Sequence, residues 1–229
     1  MGGLGFGKAK VRAVGFAGED HLLIIETATV SRPTKGIRTT EMEGLIDYNL
    51  KTQASYMIFG DSNQFADAIL GFYGAREVNG HWYAYLGGVT WEAIGPHSGG
   101  GVVYPDLFRV DLETGRPEKV ATSAQRIRHW LIGADGEVIA NSVYDPDRHQ
   151  HTVYAGAGME RPVIQRTGDD ALELLSPGRT PGTVVVVEHT NDTIVGREIP
   201  LSGGDGTVLI AGDNAAAPCL MIGRICWSG

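Results

Sequence analysis

The chain has 229 residues, enough to bury a substantial core in one domain or two small ones, and 42% apolar with 20% charged residues excludes wholesale disorder. Its 27 acidic against 19 basic residues give a formal charge of -8, the wrong sign for binding a nucleic-acid backbone or an anionic membrane surface. The longest apolar run, around residues 183–187, is far below the ~20 residues of a spanning helix, and 33 glycines with ten prolines, lacking a three-residue period, predict many tight turns between short strands.

The first ten residues are rich in glycine and have no apolar stretch behind a basic start, so they do not read as a secretory signal. They leave the compartment open, with a parent protein either cytoplasmic or periplasmic. Gly2 to Ala9 imitates a phosphate-binding loop, but Ala9 stands where the magnesium-binding Ser or Thr belongs and no strand precedes it. A frayed terminus is the better reading. A hairpin follows over residues 13–27, turning at Gly18-Glu19-Asp20, and then the segment Leu45-Ile46-Asp47-Tyr48-Asn49-Leu50-Lys51-Thr52. Gly60-Asp61-Ser62-Asn63 resembles the nucleophile block of some esterases, yet no second motif supplies a base and its orienter, so a capped turn is expected. One short helix is allowed after Asp61 or Ser62, through Phe65, Ile69 and Leu70, although the same residues could start a strand.

The next hairpin spans residues 76–86 around Asn79-Gly80. Its alternation of Trp82, Ala84 and Leu86 against Tyr83 and Tyr85 puts one set in a core, without saying which; with Trp91 and Trp130 these aromatics are expected to pack in the core rather than line a binding face. Residues 92–104 contain Ser98-Gly99-Gly100-Gly101 and read as an inserted surface loop. Then Leu107-Phe108-Arg109-Val110-Asp111-Leu112-Glu113-Thr114 repeats the 45–52 segment. A further hairpin covers 130–140 around Asp135-Gly136.

Asp145, Asp147, His149 and His151 fall at every second position, which a strand would place on one face as potential metal ligands. Pro146 breaks the strand pattern and the segment falls at an expected turn, so a solvated polar hairpin is favoured and neither metal nor cofactor is expected. The other histidines, His21, His81, His97, His129 and His189, stand singly beside strand residues and read as partners of backbone groups. Weaker repeat equivalents follow at 152–163 and 194–209, with a hairpin at 172–188 around Pro181-Gly182. Cys219 and Cys226, flanking Gly223, are compatible with a hairpin disulfide or with two buried thiols.

Two alternating hairpins per repeat make a four-stranded antiparallel blade, and the spacing is close to the ~40–50 residues of propeller blades. The expected fold is an all-β, propeller-type single domain over 1–229, with blades at roughly 11–59, 66–122, 125–167 and 169–211 and a remnant at 212–229. With about four blades it would be an incomplete or open propeller, able to dimerise through its blade edges.

The segments Lys10-Val11-Arg12-Ala13-Val14-Gly15-Phe16, Asp20-His21-Leu22-Leu23-Ile24, residues 107–115, residues 130–140 and Tyr144-Asp145 resemble blade signatures of the N-terminal propeller of bacterial S9 serine peptidases, the prolyl oligopeptidase-like dipeptidyl aminopeptidases and acylaminoacyl peptidases. That resemblance implies a propeller that gates and docks peptide substrates for an α/β-hydrolase domain elsewhere in a longer parent chain. None of the nine serines lies in a Gly-x-Ser-x-Gly elbow and no strand–helix alternation is present, so no catalytic residue is expected here. No Glu-Glu pair is present either, which departs from the dipeptidyl-peptidase mode of holding a substrate amino group. The alternatives are a free-standing propeller that binds a peptide, sugar or protein, and a metal-dependent enzyme built on 145–151.

Overall fold

The computed structural model describes residues 9–30, 40–60, 62–66, 68–90, 104–122, 127–168, 172–190 and 193–213. Gly2 to Lys8, Trp91, His97, nearly all of the 92–104 insertion, and the C-terminal stretch with Cys219 and Cys226 lie outside the described residues. Among the described residues sixteen strands form four four-stranded antiparallel sheets, each an up-and-down meander. The chain is all-β with four blades of propeller type.

Blade 1 is β1 (Lys10–Ala17), β2 (His21–Val30), β3 (Thr40–Asn49) and β4 (Ser55–Met57); blade 2 is β5 (Phe72–Val78), β6 (His81–Gly88), β7 (Asp106–Asp111) and β8 (Pro117–Ala121). Blade 3 is β9 (Ile127–Ile132), β10 (Val138–Asp145), β11 (Gln150–Ala155) and β12 (Pro162–Thr167); blade 4 is β13 (Leu172–Pro177), β14 (Thr183–His189), β15 (Thr193–Pro200) and β16 (Thr207–Asp213). The chain condenses into two compact units, the first carrying blades 1 and 2 and the second blades 3 and 4.

All four sequence-read hairpins form. Asn79 and Gly80 both adopt positive φ, 53° and 80°, the two-residue turn whose twist matches the flanking strands, and Val78 pairs with His81 across it. Each unit has its own core. In the first, Leu23 and Leu45 of blade 1 pack against Leu86, Phe108 and Val110 of blade 2. In the second, Leu131, Ala140 and Val153 of blade 3 pack with Leu172, Leu174, Val184, Val186 and Ile199 of blade 4. These are alternate residues along their strands, as a sheet buried on one face requires.

No helix occurs among the described residues, so the helix allowed after Asp61 or Ser62 is not formed at Phe65, Ile69 or Leu70. The segment is an apolar strap between the blades: Phe65 bridges to Thr90 and Ile69 to Glu43. Phe59 and Phe65 stack with centroids 4.3 Å apart, and both meet Phe108 edge-on. Aromatic stacking into the blade 1 and blade 2 core outweighs the weak helical spacing of Phe65, Ile69 and Leu70. On β6, Ala84, Tyr85 and Leu86 are fully buried, so both faces of the strand are covered there, while Trp82 and Tyr83 are half-buried; Trp130 is buried too.

Candidate functional site

The internal repeat has a physical cause at its turns. Asn49 Oδ1 accepts the backbone N–H groups of Lys51 and Thr52 at 3.0 and 2.9 Å, and Asp111 Oδ1 accepts those of Glu113 and Thr114 at 2.9 Å each. The fifth residue of each turn is left-handed, Gln53 at φ 59° and Gly115 at φ 68°. Side-chain capping by Asn or Asp followed by a left-handed residue is what the repeated sequence encodes.

The metal candidates form a third copy of this turn. Asp145 Oδ1 accepts the N–H groups of Asp147 and Arg148 at 3.0 and 3.4 Å, and His149 takes the left-handed position at φ 48°. Asp147 and His149 therefore sit in the turn, exposed, while His151 is on β11 opposite Tyr144, ring centroids 4.5 Å apart. The every-second-residue alignment that a continuous strand would give does not arise, because the strand ends at Asp145 and the segment is a polar turn. Among the described residues no three His, Cys, Asp or Glu side chains gather as a metal site would need. Ser62 Oγ accepts the N–H groups of Gln64 and Phe65 at 3.1 and 3.3 Å, a turn cap with no histidine bonded to it among the described residues.

His21 is a different case from the backbone partner expected. Its Nδ1 lies 2.9 Å from Asp47 Oδ2 and its Nε2 lies 3.0 Å from Glu113 Oε1. The His21 and Asp47 side chains are each 1% exposed and Glu113 is 56% exposed. Carboxylates only accept, so both ring nitrogens donate and the ring is held as imidazolium. Burial alone would lower the His21 pKa, but the hydrogen bonds and charges of Glu113 and Asp47 outweigh it and raise it above 6.5. Burial raises Asp47 as well, against the pull of His21. Tyr56 donates to the Leu112 carbonyl at 3.3 Å, and burial with three nearby carboxylates drives its phenol far above the usual range. With both nitrogens engaged and the ring sealed, His21 ties two strands of blade 1 to the β7–β8 turn of blade 2.

The same register recurs. Asp47 pairs with Leu23, two residues after His21; Asp111 pairs with Tyr83, two after His81; Glu198 pairs with Val185, two after Thr183. His81 Nδ1 is 3.9 Å from Asp111 Oδ2, and the Thr183 hydroxyl donates to Glu198 Oε1 at 2.6 Å. Thr183 and the Thr180 N–H hold the Glu198 carboxyl down to about 2, with Arg179 Nε 3.6 Å away. Blade 3 places Ala155 opposite Ala140 instead, and its buried Asn141 donates its side-chain amide to the carbonyls of Gly156 and Gly158, 2.9 Å each, while its Oδ1 is buried without a partner among the described residues. Each of these links ties neighbouring strands within its own blade.

The surface with binding character is on blade 1. Its core face carries Leu23, Ile25, Leu45 and Asp47. Its other face is also apolar: Val14, Ile24, Ile46 and Met57 pair in one row across all four strands, and Phe16, Leu22, Tyr48 and Ser55 in the next. Val14 is 57% exposed, Phe16 68% and Met57 37%. Val11, opposite Glu26 and beside Gly44, extends the patch and is 45% exposed. The edge of β1 is guarded by Arg12 at a bulge, whose guanidinium donates to Thr27 Oγ1 at 2.8 Å and pairs with Glu41 at 3.3 Å.

No family model and no curated protein matches the sequence. The solved structures it partly resembles include two matches of low identity. One is TolB from Acinetobacter baumannii, with a TM-score of 0.46 and 14% identity over 84% of this chain and 43% of that one. The other is KlAtg21 in complex with the coiled coil of AgAtg16, with a TM-score of 0.42 and 9% identity over 90% of this chain and 57% of that one. The chain spans less than two thirds of the length of either.

Proposed function

We propose that this chain is a non-catalytic, propeller-type docking module that engages a protein partner through the outer face of blade 1. One observation carries the reading: on the outer face of blade 1, around a buried Ile24, Val14, Phe16 and Met57 stand exposed in adjoining apolar rows. Contiguous apolar rows on a sheet face mark an interaction surface, whereas single exposed apolar residues do not.

In the finer form of the proposal, the module gates peptide substrates for an α/β-hydrolase domain of the S9 serine-peptidase type. What supports this is the resemblance of residues 10–24, 107–115 and 130–140 to blade hairpins of that family. The test is the size of the native gene product in its source cells, probed with an antibody to this chain and a serine-reactive fluorophosphonate. A much larger band that takes the label supports the peptidase partner. An unlabelled band of the size of this chain alone favours a free-standing binding module.

A further inference from the structure

Each blade ends on its fourth strand, and the far edge of that strand has no strand beside it among the described residues. Three of these four edges are guarded. β4 has only three residues, β8 opens on Pro117 and carries Glu118 and Lys119, and β12 opens on Pro162 and carries Arg166. β16 runs Thr207-Val208-Leu209-Ile210-Ala211-Gly212-Asp213, with no proline and no charge before its last residue. Its bulge does not set it apart, since β8, β12 and β16 each skip one residue in register, Val120, Val163 and Leu209. In β16 the bulge turns Val208 to the face of Arg197 and Ile210 to the face of Gly196, so the two stand 49% and 39% exposed on opposite sides of the strand. Thr207, Ala211 and Gly212 are exposed as well.

We infer that β16 is a strand-pairing edge whose occupant is the β16 of a second copy of this chain, joined antiparallel about a two-fold axis into one continuous sheet. A row of unpaired backbone N–H and C=O groups is matched by another extended strand. The composition of the strand selects the second copy. A two-fold contact uses the same patch twice, so it must not set like charges opposite each other, and residues 206–212 carry no charge. The longest overlap of two such strands centres on Ile210, which then faces its own counterpart. The formal charge of -8 on each chain acts from further away and is largely screened at physiological salt. This edge belongs to the second unit and is independent of the docking reading for blade 1.

The experiment is sedimentation equilibrium of the whole chain at micromolar concentrations, for wild type, Ile210→Lys, Ile210→Glu, an equal mixture of those two, and Val14→Thr/Phe16→Ser. Position 210 is exposed on a sheet edge, so its variants should fold, which circular dichroism checks. Hydrogen exchange of wild type at low and high concentration reads the contact without any substitution. The expected result is a wild-type dimer, weakened at least about tenfold in either Ile210 variant and restored in the mixture, where Lys faces Glu. Amides of residues 207–213 are expected to slow as concentration rises, and Val14→Thr/Phe16→Ser to dimerise like wild type. A wild type that stays monomeric would overturn the inference. So would a dimer of unchanged strength in both Ile210 variants, a mixture no tighter than either variant alone, or protection that rises elsewhere than in β16. A dimer lost in Val14→Thr/Phe16→Ser and kept in both Ile210 variants would place the second copy on blade 1, overturning this inference and the docking of a different protein there.

Discussion

Asp47 holds His21 at 2.9 Å with both side chains 1% exposed, and the far side of the same ring reaches Glu113 at 3.0 Å, on the turn that follows β7. A buried charge with two acceptors is a fastener between strands distant in sequence. Its energetics are asymmetric, because the buried members cannot be removed singly without stranding the other.

His21→Ala is therefore expected to destabilise the first unit by about 3 kcal/mol or more, since Asp47 is left charged and enclosed. Glu113→Gln, at an exposed partner, should cost less than about 1 kcal/mol. Urea unfolding of the two variants measures the contrast; equal costs would remove the fastener.

The pH dependence follows from the direction of the shift. His21 is raised above 6.5 in the folded chain, so its stabilisation is complete below 6.5 and is lost as pH rises through the folded value. Wild type should lose stability relative to His21→Gln as pH rises above 6.5. Parallel profiles for the two proteins in that window would contradict it.

Glu198 sets the acid limb in the second unit. Its carboxyl is held down to about 2 against an ordinary 4.5, so its contribution is present above 4.5 and disappears as pH falls towards 2. Glu198→Gln should flatten that limb of a thermal melting series, and a limb of unchanged steepness would assign acid sensitivity to other carboxylates.

Gly18 turns the first hairpin at φ 63°, and a Cβ there would lie 2.6 Å from Trp82 Nε1. Gly18→Ala adds a left-handed penalty of about 1–2 kcal/mol to a clash with a packed indole. Gly80→Ala, also left-handed at φ 80° but with nothing within 4 Å, carries the backbone penalty without the clash. Comparing the two by thermal unfolding should show the larger loss at Gly18.

The strands and turns were legible because their signals are local. Asn79-Gly80 and Asp135-Gly136 announce hairpins by backbone preference, and the Asn49 and Asp111 segments share side-chain caps that leave matching sequences. The every-second-residue pattern of 145–151 was ambiguous because a capped turn spaces polar residues much as a strand does, and Pro146 was the clue that favoured the turn. His21 with Asp47 and Glu113 was not legible as a set, since its members come together only through sheet pairing and blade packing. One trace existed: Asp47 occupies the same face of β3 as buried Leu45, where the alternation calls for an apolar residue. The exposed outer face of blade 1 could not be read at all, because buried and exposed apolar rows look identical in sequence.

The most direct measurement places a photo-crosslinking benzoylphenylalanine at position 16, or at position 148 as a control on an exposed turn, in the chain expressed in its source cells. Docking through blade 1 predicts one discrete larger adduct from position 16, abolished by Val14→Thr and absent from position 148. An uncrosslinked monomer at position 16, or the same adducts from both positions, would contradict it.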